Sequence, residues 1–388
     1  MGDTKFPTLN DFADSTLDQL REGHPNLLTN VLGSDLLWER SVELDFSLNT
    51  GISFNKSCRL ISAQDGPLAF NLAREEDWSL LPALLEAESR CLSWTDLEFL
   101  VRDKSRRPLL ERARLMGLPV SIPFDAEVSI KWQDDLFTAN STNHSPDDLK
   151  VLDFSSLWAG PLCSHLLLNL GCKVVKVESR NRRDISGSAT PRLFSVLNKD
   201  KELLIVDFQN EAELESLRQM ICDADIVIEG SRPRAFEALG IDRRSIRSLQ
   251  TSAQHHNQLW LSLTAYGRFG AAAEWVGFGD DVAASAGVLD RSSDGGYDFV
   301  GDAIADPLAG LQAALTVKEC LTQNLRGLLD FSLFRAARIA LETDERLYDS
   351  PLAPLKNVRT RCKSLMQSWP VLEGMFVWVR RFRKFPRR

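Results

Sequence analysis

Residues 151–179 read "VLDFSSLWAGPLCSHLLLNLGCKVVKVES", and this stretch decides the fold. "VLDFS" (151–155) and "VVKVE" (174–178) are short, β-rich runs of strand length. Between them "PLCSHLLLNLG" sets Leu166, Leu167 and Leu170 on one helical face, closed by Gly171, the residue type best suited to the left-handed position after a helix. Strand, helix, strand is one βαβ step, and the chain repeats it. "LLIVDF" (203–208), a helical "NEAELESLRQMICDA", "DIVIEG" (225–230) and "LWLSLTAYG" (259–267) follow in order. This alternation predicts an α/β fold, a Rossmann-like parallel sheet with crossover helices, whose ligands sit at strand-to-helix turns.

Upstream lies a different pattern. "SCRLISAQDGPLAFNLAREEDWSLLPALLEA" (57–87) predicts a hairpin turning at Asp65-Gly66 and a following helix, and "SRRPLLERARLMGLPV" (105–120) a helix stopped at Gly117. Residues 120–150 gather Asn, Ser, Asp and Pro, the mark of a loop. The expected organisation is a smaller α+β unit over 1–130, including a leader before about residue 45; a linker over 131–150; an α/β domain over 151–335; and a helical or mobile end over 336–388. That end closes on "FVWVRRFRKFPRR" (376–388), with six basic residues and no acid, read as a solvated tail.

The composition bounds the function. With 388 residues, 44% hydrophobic and 26% charged, the chain can bury two cores. A net charge of −8 excludes an ordinary nucleic-acid binder, which needs an excess of Lys and Arg on one face. Seven cysteines, at 58, 91, 163, 172, 222, 320 and 362, include no C-x-x-C pair, so we expect buried thiols and no metal. No apolar run approaches the roughly 20 residues of a membrane span, and the start "MGDTKFPTLNDF" lacks a signal-peptide core. The expectation is a soluble, cytoplasmic protein with no membrane span.

Neither G-x-G-x-x-G, G-x-x-x-x-G-K-[ST] nor G-x-S-x-G occurs at a strand end. The first strand turns through Ala159, Gly160 and Pro161 instead. These suit either a plain helix start or a ligand approaching it. Basic residues collect near strand ends at Arg180, Arg182 and Arg183, at Lys199 and Lys201, and at Arg232 and Arg234. They fit a solvated rim or a converging phosphate site. Finally, "GDAIADPLAGL" (301–311) carries two aspartates. Asp306-Pro307 suffices to start a helix, which leaves Asp302, after Gly301, without a structural duty.

In order and spacing, "VLDFSSLWAGPLCSHLLLNLGCKVVKVES", "LNKDKELLIVDF", "ADIVIEGSRPRAFEALGID", "VGFGDDVAASAGVL" and "GDAIADPLAGLQAALTVKECL" resemble the large domain of the family III CoA-transferases, the carnitine and bile-acid-inducible group. The resemblance covers about 150–335. More weakly, 51–120 resembles that family's small domain, which ordinarily follows the large one, so the chain reads as a rearranged or trimmed member. The resemblance implies coenzyme A as co-substrate, an acyl-CoA and a carboxylic acid as partners, and a homodimer among the assemblies. It also implies an aspartate nucleophile in a Gly-Asp pair, at Asp302, with CoA-binding residues at Ala159, Gly160, Pro161, Arg180, Lys199, Lys201 and Arg232. The implied activity is acyl-CoA:carboxylate CoA transfer through an aspartyl-CoA thioester. Two alternatives stay open: a 2-methylacyl-CoA racemase or isomerase, and an inactive CoA-binding partner protein. The racemase branch places a histidine where this chain has Phe278, and "NTGISFNKS" has a single Gly51 where the formyl- and oxalyl-transferring branch has a glycine run.

Overall fold

A computed structural model describes residues 9–43, 50–87, 93–125, 134–139, 146–250, 257–292 and 295–342. The basic tail, His255 and His256 lie outside the described residues.

The smaller unit is built on β1 (Cys58–Ala63), β2 (Gly66–Asn71) and β3 (Val120–Ser121), an antiparallel sheet in that order. The β1–β2 register pairs Ala63 with Gly66, so the turn residues are Gln64 and Asp65, one place earlier than the sequence suggests. Helices Glu75–Leu85, Trp94–Val101 and Arg106–Leu115 cover it, and Ile61, Leu68, Phe70, Leu81, Leu84, Leu97 and Leu110 form a core of their own.

The large sheet runs β4 (Asp135–Thr138), β5 (Lys150–Asp153), β6 (Lys173–Ser179), β7 (Glu202–Val206), β8 (Ile226–Glu229), β9 (Leu259–Thr264) and, after the small hairpin β10 (Leu289–Arg291) and β11 (Tyr297–Phe299), β12 (Leu325–Ser332). Its spatial order is β4-β12-β9-β8-β5-β6-β7, all parallel except β4. The chain steps outward from β5 to β7, then returns past β5 to β8, so the strand order reverses between β5 and β8. The five strands expected between 151 and 267 are all present, as the Rossmann-like reading requires.

Both faces of the sheet are covered, which is why its central strands are largely apolar rather than alternating. Successive side chains point to opposite faces. Thus Val151, Ile226, Ile228, Leu259 and Leu261 join the helices Ala159–Asn169 and Ala305–Thr322 in one core. Leu152, Val227 and Trp260 join the helices Glu211–Cys222, Pro233–Leu239 and Arg243–Leu249 in another. The five described cysteines that are free, Cys58, Cys163, Cys172, Cys222 and Cys320, are buried. Among the described residues, no helix is long and apolar enough to cross a membrane.

Two segments are placed differently from the sequence expectation. The supposed linker supplies β4, an edge strand pairing Thr138 with Leu325 and Asp135 with Leu328. An edge strand needs backbone pairing on one side only, so its polar composition hid it. The leader grouped with the small unit instead packs on the sheet domain. Helix Leu9–Arg21 sends Leu9, Ala13, Leu17 and Leu20 into the same core as the Ala305–Thr322 helix. Lys318 of that helix donates to the carbonyls of Gln19, Leu20 and Glu22 at 2.7, 3.1 and 2.7 Å, satisfying the open end of the leader helix.

Helix Gly33–Trp38 crosses the leader helix at Gly33, where an added Cβ would lie 1.9 Å from the carbonyl oxygen of Ala13. Gly33→Ala should therefore cost about 1–3 kcal/mol through overpacking, read as a lower urea midpoint at unchanged slope. Gly23→Ala meets nothing within 4 Å and is strained only by its φ of +80°, so it should cost less, about 1 kcal/mol.

Candidate active site

The site forms where four segments meet: the residues after Trp38, the loop after Gly51, the start of helix Gly279–Ala286, and the turn before helix Ala305–Thr322. Asp302 lies in that turn, fully buried. Its carboxylate is gripped by Arg40, whose Nε donates to Oδ2 at 2.5 Å and Nη2 to Oδ1 at 2.7 Å. Asn55 Nδ2 donates to Oδ1 at 3.2 Å and to Asp280 Oδ2 at 3.1 Å. Arg40 also lies over the Trp158 ring, 5.0 Å from its centroid, so cation–π contact holds the guanidinium from the other side.

The turn is tightly specified. Gly301 has φ +64°, and an added Cβ would sit 2.8 Å from the Trp38 ring. The space above Gly301 is thus filled by Trp38 rather than left for a ligand. Ala303 follows at φ +45°, an uncommon conformation for a residue with a side chain, and its N–H donates to Asp280 Oδ1 at 2.7 Å. Leu157, beside Trp158, has φ +69°. Backbone strain of this kind concentrates at functional sites.

Asp306 does not cap its own helix. It stands inside the first turn, and its carboxylate accepts the backbone N–H groups of Gly279 and Ala159, the first residues of two other helices. One carboxylate thus satisfies two helix starts and complements their positive ends. The N–H at Ala159 is thereby taken, and Gly160 is spent on packing, since a Cβ there would lie 2.1 Å from that of Ser155. Ala159, Gly160 and Pro161 are all buried. The sequence offered a plain helix start or a ligand approach at this turn, and the geometry is that of the helix start.

Four carboxylates gather here, with Asp280, Asp281 and Asp302 buried and Asp306 partly buried, and Arg40 is the cation bonded to one of them. Burial, then the charge of Asp302, pushes Asp280 up from the ordinary range. Burial pushes Asp306 up to about 6, against the pull of Arg40. Burial raises Asp281 to about 7, although Phe278 N–H and Asn71 Nδ2 both donate to its Oδ1 at 2.9 Å. Phe278 ends the loop before this helix, with Arg74 5.7 Å from its ring centroid, and offers no proton. His165 is held neutral by burial, which lowers it to about 4.

The expected basic residues separate into groups. Lys201 is wholly internal, bonded to Asp153 Oδ2 at 3.2 Å, Ser164 Oγ at 2.6 Å, the Pro161 carbonyl at 2.9 Å and Asn198 Oδ1 at 3.0 Å. Burial would raise Asp153, but Lys201 and then Lys176 hold it down at about 2. The Lys201 ammonium cannot meet a phosphate without abandoning a buried carboxylate. Arg180 is half-exposed and bidentate to Glu213 at 2.9 and 3.0 Å. Lys199 is exposed at the end of helix Pro191–Asn198.

Arg232 is partly buried beside the β5–β8 reversal. Burial lowers its pKa first, and Arg234, Arg74 and Arg182 lower it further, a mutual repulsion relieved by Glu274. Neither Arg232 nor Arg182 has an ion pair among the described residues.

Arg40, Asn55 and Arg74 were not singled out from the sequence. Asn55 sits within "NTGISFNKS", where a signal was available. Arg40, in "LLWERSVELDF", carries none, since only folding brings it to a carboxylate far along the chain.

The fold and the site therefore describe a Rossmann-like α/β domain with a buried aspartate at the head of a long helix. Residues 147–332, a little under half of the chain, match CoA-transferase family III. It is 26% identical over 203 residues to an acyl-CoA transferase of Fusarium pseudograminearum, covering 47% of this chain and 43% of that protein. It is 32% identical over 155 residues to a probable fatty acyl-CoA transferase of Mycobacterium tuberculosis, covering 37% of each. Among solved structures, a CaiB/BaiF family protein from Brucella suis aligns at 25% identity and TM-score 0.48, covering 55% of this chain and 60% of that one. The chain spans about half or less of the length of the curated relatives it matches.

The Asp281 proton yields a pH prediction. Its folded pKa, about 7, lies above the unfolded value of about 3.9. The folded state thus keeps a proton that the unfolded chain releases, so this group's contribution to stability is fully present below about pH 4 and is lost as pH rises through 7. Asp281→Asn preserves the acceptor oxygen, while Oδ2, which has no hydrogen-bond partner among the described residues, becomes an amide. We expect urea-unfolding stability between pH 5 and 8 to fall less steeply in the variant, by up to about 1.4 kcal/mol per pH unit. An unchanged slope contradicts the assignment.

Proposed function

We propose that the chain is an acyl-CoA:carboxylate CoA-transferase whose nucleophile is Asp302. The observation that carries this is the Arg40 fork on a buried aspartate, within the family-matched segment and one residue after a glycine. Arg40 gives this buried carboxylate a two-point, charge-assisted partner that fixes its orientation. Asp302 adds to the thioester carbonyl and CoA leaves as thiolate, forming an acyl-aspartyl anhydride. The thiolate attacks the aspartyl carbonyl, giving an aspartyl-CoA thioester and the free carboxylate of the donor. An acceptor carboxylate then reverses the two steps. Positioning makes the sequence fast, because each attack becomes intramolecular or takes place between bound groups.

CoA belongs in this reading at the carboxyl ends of the strands, near the β5–β8 reversal, where open α/β sheets take ligands. Arg232 and Arg182, backed by Arg74 and Arg234, are the groups we assign to its phosphates. Arg180 and Lys199 are retained as outer contacts. The cations repel one another unless an anion joins them, and charge-assisted bonds to phosphate reward that anion.

One observation favours a second reading, an inactive CoA-binding protein: Asp302 is fully buried with its guanidinium partner. A racemase is disfavoured by Phe278, which cannot carry a proton where the racemase branch places a histidine.

Asp302→Asn should abolish thioester exchange with any carboxylate while folding and CoA affinity persist. Hydroxylamine with acyl-CoA should inactivate the native protein and leave a hydroxamate at Asp302, found by peptide mass. Full turnover by the variant, or a hydroxamate at Asp280 instead, overturns the nucleophile assignment. Arg232→Ala and Arg182→Ala should each weaken CoA about tenfold or more by calorimetry, since such bonds contribute roughly 1.5–3 kcal/mol. Unchanged affinity in both places the phosphates elsewhere.

A further inference from the structure

Arg40 comes from outside the family-matched residues, yet it makes the strongest polar contact in the site. Its partner is the group whose charge the proposed reaction consumes. In the resting protein Arg40 binds a carboxylate through Nε and Nη2. When Asp302 becomes a thioester that negative charge is gone, and a neutral carbonyl is a much poorer partner for the fork.

The nearby acids are not ready substitutes. Asp280 already accepts from Ala303 N–H and Asn55, and Asp306 from Gly279 and Ala159. Asp281 is engaged with Phe278 and Asn71, and Cys58 is held as a neutral thiol by burial and by Asp280. Nη1 of Arg40 bonds to no protein group among the described residues, and its side chain, at 17% exposure against 1% for Asp302, is the more open side of the pair.

Resting on the transferase reading, we propose that Arg40 is the acceptor-binding residue of the second half-reaction, exchanging the Asp302 carboxylate for that of an incoming carboxylic acid. The bond balance is complete without another reagent. The acceptor oxygen held by Arg40 attacks the aspartyl thioester carbonyl, the C–S bond breaks, and CoA leaves as thiolate. The thiolate then attacks the acceptor carbonyl of the mixed anhydride, the C–O bond to Asp302 breaks, and Asp302 regains its charge and its place on Arg40. The returning carboxylate then competes with any remaining acid for the guanidinium, which favours product release.

Asp302→Asn is a neutral stand-in for the acylated aspartate and gives a test that needs no turnover. Butyrate serves as probe and butyramide as its uncharged control, with binding followed by calorimetry and folding by circular dichroism. Butyrate should bind Asp302→Asn at least tenfold more tightly than the native protein, butyramide should show no such gain, and the double variant Asp302→Asn, Arg40→Gln should lose it. Equal butyrate binding by native protein and single variant, or gain retained in the double variant, overturns the proposal.

If Asp302→Asn does not fold, kinetics with Arg40→Lys decide. That variant keeps the charge but loses the fork, so the acceptor KM should rise at least tenfold more than the donor KM. Equal changes overturn the proposal. Absence of exchange in the native protein, with the butyrate gain present, refutes the transferase reading and leaves the carboxylate-exchanging role of Arg40 standing.

Discussion

Four carboxylates share one water-poor corner with a single bound guanidinium, and the surrounding structure follows from keeping that arrangement tolerable. Unpaired ionised carboxylates cannot be buried together at acceptable cost. The protein meets this in three ways. Asp302 is given Arg40, Asp306 is given the N–H groups of two helix starts, and Asp280 and Asp281 are pushed toward the protonated form. Each solution demands an element in a particular place. The helices beginning at Ala159, Gly279 and Ala305 must converge, and the leader must return across the sheet domain to deliver Arg40. The glycines at 279 and 310 permit that closeness, since a Cβ at either would fall within 2.5 Å of a backbone oxygen.

The leader therefore has two roles that are physically one. Its apolar face, with Leu17 and Leu20, supplies burial against helix Ala305–Thr322, and Lys318 fixes its end. That docking orients the short helix after Gly33, so Trp38 closes over Gly301 and Arg40 reaches Asp302. At the far end Glu43 accepts N–H groups of Arg192 and Leu193 at the start of another helix. The small unit is joined from the other side through Asn71 and Ser121, both bonded to Asp281. A site assembled from three stretches of chain is sensitive to the packing of each.

The strand-end cations are governed by a different balance. Arg180 and Lys201 found carboxylates within the protein, whereas Arg232 and Arg182 remain without an ion pair among the described residues. Sequence position alone did not separate these groups, because all lie near strand ends. What divides them is whether a Glu or Asp from another element arrives within reach, as Glu213 does for Arg180 and Asp153 for Lys201.

By itself the sequence determined the βαβ alternation, the strands from 151 to 267, the glycine at the end of the first crossover helix, and the hairpin and two of the three helices of the small unit. All are local: a period of two or 3.6, a turn residue, a cap. Only the tertiary structure decided that β4 joins the sheet, that the leader belongs to the sheet domain, that Asp306 serves helices other than its own, and that Arg40 and Asn55 meet Asp302. These depend on contacts between residues as far as 299 positions apart, or on backbone pairing that leaves no mark on side-chain pattern. An edge strand tolerates polar residues, and an arginine reads the same whether it faces solvent or a buried carboxylate, because its partner is set by where the chain returns rather than by its neighbours in sequence.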